Sequence, residues 1–232
     1  MKRFKSIIKY FTVAELMLWG VSVFVILVAF VIFDRVNYMT LAASLIGVTS
    51  LIYNAKGNPA GQVLMIIFSV LYGIISYSFA YYGEMITYLG MTAPMALFAL
   101  ISWLRNPFMG NKAEVEVSSI GKRETVFMIA LSLVVTAVFY YILEYFETAN
   151  ILPSTLSVTT SFIAAYLTFK RSPYFALAYA ANDMVLIVLW ILATTFDISY
   201  LSVVICFVMF LFNDLYGFVN WRKMEKKQKA VC

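Results

Sequence analysis

The run Val21-Ser22-Val23-Phe24-Val25-Ile26-Leu27-Val28-Ala29-Phe30 settles what kind of protein this is. Ten residues pass with one polar side chain, and nothing alternates apolar with polar as a strand of a membrane barrel must. The run lies inside an apolar stretch from 12 to 33, and roughly 20 apolar residues are what a helix needs to cross a hydrocarbon core of about 30 Å. Seven further stretches of this kind follow, at 37–55, 61–82, 85–104, 125–146, 154–169, 174–196 and 199–221. The composition agrees: the 232 residues are 63% hydrophobic and 12% charged, with a mean hydropathy of +0.88, where soluble domains run near about 45–50% and about 25%. So little polar surface cannot cover a water-facing shell, which excludes a soluble enzyme, a nucleic-acid binder and a disordered linker. The expected fold is an all-α integral membrane protein with eight transmembrane helices.

Orientation follows from the basic residues, because Lys and Arg concentrate in cytoplasmic loops. One side of the eight spans holds Lys2, Arg3, Lys5, Lys9, Lys56, Arg105, Lys112, Lys122, Arg123, Lys170, Arg171, Arg222, Lys223, Lys226, Lys227 and Lys229, sixteen in all; the other holds Arg35. A missed or extra span would scramble that alternation. The net charge of +5 is therefore a topology signal that places both termini in the cytoplasm of a multi-pass protein of the cell membrane. Met1-Lys2-Arg3-Phe4-Lys5 looks like the start of a signal peptide, but the apolar stretch behind it is too long, lacks a small-residue cleavage site and runs directly into Asp34-Arg35. A retained helix is expected.

Residues 37–104 and 154–221 share a plan. Each makes three spans, with a short basic turn after the first (Asn54-Ala55-Lys56-Gly57-Asn58-Pro59; Lys170-Arg171-Ser172-Pro173) and a Trp at the close of the third (Trp103, Trp221). Lys56 and Lys170 are 114 residues apart, Trp103 and Trp221 118. Four spans separate corresponding helices, so the two units point the same way, the parallel 3+1+3 repeat found in SWEET transporters. The expected organisation is a cytoplasmic amino terminus with an additional helix (1–36), the first repeat (37–104), a cytoplasmic loop and linking helix (105–146), the second repeat (154–221) and a basic cytoplasmic tail (222–232).

Ionisable residues deep in a span mark function by default. Glu15 lies one turn into the first span, where it can snorkel or anchor. Asp183 lies mid-span in the seventh, after Asn182 and one turn beyond Tyr179, and Asp214 lies in the eighth within Phe212-Asn213-Asp214-Leu215-Tyr216-Gly217. No Lys, Arg or His falls inside any span, so these acids are met by neutral hydrogen bonds, water, a cationic ligand or a proton; helix-to-helix glue is the plainer reading. Tyr72, Tyr179 and Trp190 are deep enough to stack on a ligand, whereas Tyr81, Tyr82, Tyr140, Tyr141, Tyr145 and Tyr200 read as an interfacial belt. The candidate substrate-binding set is Tyr179, Asn182, Asp183, Trp190, Asn213, Asp214, Tyr72 and Tyr216. Pro94 interrupts the fourth span, as a fixed kink or as a hinge. No phosphate loop, nucleophile motif or selectivity filter occurs, the absence of His with two lone cysteines, Cys206 and Cys232, leaves no usual zinc ligand set, and no cofactor is expected.

Tyr216-Gly217-Phe218-Val219-Asn220-Trp221-Arg222-Lys223, the Ala55-Lys56-Gly57 turn with Leu71-Tyr72-Gly73 and Tyr82-Gly83-Glu84 after it, and the Asp183-to-Trp190 spacing resemble the PnuC-type vitamin transporters, known for nicotinamide riboside. The resemblance covers roughly 37–223 and implies a facilitator that passes a nucleoside-like vitamin down its gradient, trapped inside by a cytoplasmic kinase, in a homotrimer. It implies a relation in architecture to SWEET transporters. Nicotinamide riboside members carry a tryptophan pair and then an Asn where this chain has Ala176, Tyr179 and Asp183, so the stacking pair is mostly lost. Thiamine, riboflavin and deoxynucleosides stay open as substrates. Uniport is expected over proton coupling. Two other classes compete: an intramembrane enzyme with Asp183 and Asp214 as paired acids, which requires them to share a cavity, and a receptor or scaffold subunit, which requires a bundle packed solid at the Asn182-Asp183 level.

Overall fold

A computed structural model describes residues 10–78, 81–148 and 150–231; Lys2, Arg3, Lys5, Lys9 and Cys232 lie outside them. Eight helices are long and apolar enough to cross a membrane: α1 (Val13–Phe33), α2 (Tyr38–Ala55), α3 (Ala60–Ser78), α4 (Tyr82–Arg105), α5 (Lys122–Tyr145), α6 (Ile151–Phe169), α7 (Phe175–Thr194) and α8 (Leu201–Val231). A 3-10 turn, Ile198–Tyr200, leads into α8.

Three boundaries depart from the sequence reading. Helix α6 begins at Ile151, before Pro153, because the first turn has no intrahelical use for the N–H that proline lacks. Between α4 and α5 the loop carries a hairpin, β1 (Pro107–Phe108) and β2 (Asn111–Val115). Its two-residue turn has Met109 at φ 48 and Gly110 at φ 79, the left-handed pair that a tight hairpin demands. Helix α8 runs ten residues past its expected end at 221, held by Arg222 and Lys229 converging on Glu225 at 2.5 and 2.8 Å.

Six helices close into a ring in the order α2, α3, α4, α6, α7, α8 and back to α2, with α1 outside on α2 and α8 and α5 outside on α6. The span sequences explain the division. Helices α1 and α5 are apolar on all sides and mostly face lipid, whereas α2 and α6, richer in Ser, Thr and Gly, are the most buried spans. Small residues let these backbones approach; a Cβ on Gly47 would fall 2.3 Å from the Phe210 ring.

At the end of the bundle that holds the α2–α3 and α6–α7 turns, the same contacts occur twice. Trp221 Nε1 donates to Asn54 O at 2.7 Å and Trp103 Nε1 to Thr168 O at 2.9 Å, so Trp221 caps the end of α2 and Trp103 the end of α6. Asn220 donates to Ala55 O at 2.7 Å and Ser102 to Phe169 O at 2.8 Å. The turns that follow both pass through a left-handed residue, Gly57 at φ 65 and Arg171 at φ 57. The end of β2 and the loop after it reach both, Val115 N donating to Gly57 O at 2.9 Å and Ser118 N to Arg171 O at 3.0 Å. The two indoles meet with ring centroids 5.4 Å apart.

Candidate substrate site

All six ring helices contribute to one internal cavity: Leu51 from α2, Met65 and Phe68 from α3, Tyr88 and Thr92 from α4, Ser161 from α6, Tyr179, Asn182 and Asp183 from α7, and Phe207, Phe210 and Asp214 from α8. Asp183 and Asp214 face each other within hydrogen-bonding reach, and Asp183 Oδ2 has no hydrogen-bond partner among the described residues. Two carboxyls in contact repel unless a proton or a cation lies between them. Asn182 is fixed beside them, its Oδ1 accepting from Thr160 at 2.8 Å and Ser161 at 2.9 Å. That leaves its amide nitrogen as the neutral donor at the site. Tyr179 adds an aromatic wall one turn from Asp183.

The cavity is closed at both ends. Towards the carboxyl-terminal end of α7, Trp190 Nε1 donates to Tyr72 Oη at 2.6 Å. Tyr72 packs on Tyr88 with centroids 4.3 Å apart, and Tyr81 leans on Trp190 at 5.0 Å. Trp190 lies seven residues beyond Asp183, two turns along the same face of α7, which makes it the roof over the carboxyls. At the opposite end, Phe175 packs on Trp221 at 4.8 Å and Trp103 at 6.2 Å. The space left is about 20 Å³, room for a water, whereas small-ligand sites run from about 300 Å³ upward.

Of the eight sequence-predicted residues, the fold brings Tyr179, Asn182, Asp183 and Asp214 to the cavity and sets Tyr72 and Trp190 above it. Asn213 and Tyr216 go elsewhere. Asn213 Nδ2 donates to Ser22 Oγ at 2.9 Å and Tyr216 Oη to Glu15 Oε1 at 3.3 Å, so both bind α8 to α1. The reason is helical geometry: steps of one and two residues from an inward Asp214 rotate about 100° and 200° around α8. Glu15 anchors, capping α1 through Thr12 and pairing with Lys56 at 3.2 Å. Tyr88 was not anticipated; its place just before Pro94 is the signal that marks it. Glu84, of the Tyr82-Gly83-Glu84 motif, is buried beside Ser157 at the start of α4. The interruption expected at Pro94 falls just upstream as a π-helical turn, Tyr88–Thr92, in which Ala93 N donates to Tyr88 O and Thr92 Oγ1 to Thr87 O.

Residues 37–223 match the family described as nicotinamide mononucleotide transporter. The chain belongs to that family. It is 25% identical over 203 residues to the nicotinamide riboside transporter PnuC of Neisseria mucosa, covering 86% of this chain and 77% of that one. It shares its fold with a solved vitamin B3 transporter PnuC, at a TM-score of 0.82, 24% identity and 94% coverage of both chains. Membership in the nicotinamide mononucleotide transporter family makes this a multi-pass membrane transporter of a small molecule. The 37–223 limits leave α1 outside the matched region.

Proposed function

We propose that the chain takes up nicotinamide riboside, or a nucleoside-type vitamin close to it, by facilitated diffusion. The carrying observation is the pair Asp183 and Asp214 with Tyr179 and Asn182 in one cavity reached by all six ring helices. Two carboxyls without a basic side chain at hand suit a ligand that brings its own positive charge or several hydroxyls, and Tyr179 offers a face to a planar ring. The family, described as nicotinamide mononucleotide transporter, and the nicotinamide riboside transporter of Neisseria mucosa support the same substrate class. Because the cavity holds only about 20 Å³, a nucleoside enters by separation of the ring helices, so the closed form reads as the occluded state of an alternating-access cycle. Its hinge is the π turn before Pro94, and its moving parts are two parallel three-helix repeats, a reading supported by the duplicated tryptophan caps. Both termini face the cytoplasm, a cytoplasmic kinase traps the product by phosphorylation, and the protein works as a homotrimer.

The paired acids share a cavity, so the geometric requirement of an intramembrane acid catalyst is met; the family argues for transport. Both readings meet one experiment. Purified protein is titrated with nicotinamide riboside, thiamine, riboflavin and deoxynucleosides, and the bound ligand is then supplied outside proteoliposomes that hold the protein. Saturable uptake of intact nicotinamide riboside, unaffected by collapse of a proton gradient, is expected. Recovery of a cleaved product, or uptake of none of the panel, overturns the proposal.

A further inference from the structure

A second cavity, of about 290 Å³, opens at the end of the bundle that holds the α2–α3 turn, far from the carboxyl pair. Its walls come from four separate places: Tyr10 ahead of α1, Lys56 in the turn after α2, strand β2, and the part of α8 that continues beyond its apolar stretch. Three ammonium groups line it, Lys56, Lys223 and Lys227, against one carboxylate, Glu114. Glu114 already accepts from Gln228 at 3.1 Å. Lys56 is held by Glu15 at 3.2 Å and lies 4.7 Å from the Tyr10 ring. Tyr10 adds no negative charge, because burial raises its hydroxyl pKa while Oη donates to Ala113 O at 3.2 Å and accepts from Asn58 at 3.0 Å.

Lys223 and Lys227 are one turn apart on one face of α8, a spacing at which like charges repel. Glu225, the acid nearest in sequence, is taken by Arg222 and Lys229 on the other side of the helix. Among the described residues neither cavity lysine has an ion pair. The α8 extension is nevertheless pinned in place, since Gln228 donates to Val115 O at 3.0 Å and accepts from Val117 N at 2.8 Å. A rigid concave wall therefore presents two unneutralised amines towards a third.

We propose that this cavity binds a phosphate-bearing anion, with Lys223 and Lys227 as its charge partners and Lys56 as the third. Its volume accommodates a phosphate with an attached sugar or glycerol. A free phosphomonoester and the headgroup of an anionic phospholipid bring the same chemistry. An anion there competes with Glu15 for Lys56, and Glu15 is also the acceptor for Tyr216 on α8, so occupancy acts on the tie between α1 and the helix that carries Asp214. Placement on the cytoplasmic side rests on the topology proposed above; binding itself does not.

The test uses the full chain in nanodiscs of phosphatidylcholine, with adenosine monophosphate and inorganic phosphate as probes, and adenosine and chloride at matched ionic strength as controls. Saturable binding of a phosphate probe is expected, weaker by about tenfold or more in Lys223→Gln/Lys227→Gln, as loss of charge-assisted hydrogen bonds implies, and retained in Lys223→Arg/Lys227→Arg. Nanodiscs containing phosphatidylglycerol separate the sources. Displacement of the probe assigns the site to the lipid headgroup, and persistence assigns it to a soluble phosphate. Unchanged probe binding in the glutamine variant overturns the proposal. So does absence of probe binding together with equal retention of phosphatidylglycerol by wild-type and glutamine-variant protein in native mass spectra. No readout involves transport, so failure here leaves the uptake proposal standing, and the reverse.

Discussion

At Asp183 the carboxyl lies against Asp214, and its Oδ2 has no hydrogen-bond partner among the described residues, so it can meet a cationic centre or a hydroxyl of a ligand. Asp183→Asn keeps the size and a hydrogen bond to Asp214 while deleting the charge. For a cationic vitamin the expected loss is about 1.5–3 kcal/mol, roughly ten- to a hundredfold in affinity; a neutral nucleoside loses less. Equilibrium binding with a thermal-unfolding control checks this, and unchanged binding in a folded variant reduces Asp183 to a packing residue. Asp183, Asn182 and Tyr179 were legible in the sequence because a polar residue in mid-span has few innocent explanations and because i to i+4 spacing puts an aromatic beside it. Asn213 and Tyr216 were misplaced for the complementary reason. Adjacency to Asp214 in sequence says nothing about direction until the packing of α8 is known, and α1 claims both. Tyr88 was hidden among sixteen tyrosines, separated from the belt only by a backbone irregularity.

That irregularity is the informative feature at the level of elements. Pro94 cannot donate to the carbonyl one turn back, and the chain answers with a wide turn over Tyr88–Thr92 that aims Tyr88 at both the cavity and Tyr72. Pro94→Ala restores the donor and favours a regular helix. Stability is expected to rise by about 0.5–1.5 kcal/mol, the net worth of a hydrogen bond, while the uptake rate falls and equilibrium binding holds. Thermal unfolding alongside vesicle uptake tests it, and unaltered turnover removes the hinge from the mechanism. Spans were readable from apolar length alone, which is why eight were found. The hairpin was not, since Met109-Gly110 lacks the Asn-Gly or Asp-Gly signature of its turn type. Nor was the end of α8, where helix continues on charge pairs and a glutamine clamp that hydropathy does not register.

Across the whole molecule, the proposed repeat implies that its two tryptophan caps carry equal weight. Trp103 and Trp221 are fully buried, and each reaches across to the first helix of the other unit. The accepting carbonyls keep one other bond each, Gly57 N to Asn54 O at 2.9 Å and Arg171 N to Thr168 O at 3.0 Å. Replacing either indole by a phenyl ring therefore removes a hydrogen bond without orphaning the acceptor, and the cost is that of an ordinary hydrogen bond, about 1 kcal/mol, plus the smaller ring's lost packing. Trp103→Phe and Trp221→Phe are expected to lower stability by amounts that agree within about 0.5 kcal/mol, the scatter of independent sites. With the rings 5.4 Å apart, the double variant should depart from the sum of the two by at least about 0.5 kcal/mol, as residues in contact do. Unfolding of the four proteins in one detergent measures all three quantities. Should one substitution prove silent and the other severe, the two ends are not equivalent, and the duplicated hydrogen bonds are a coincidence of packing instead of the trace of a repeat.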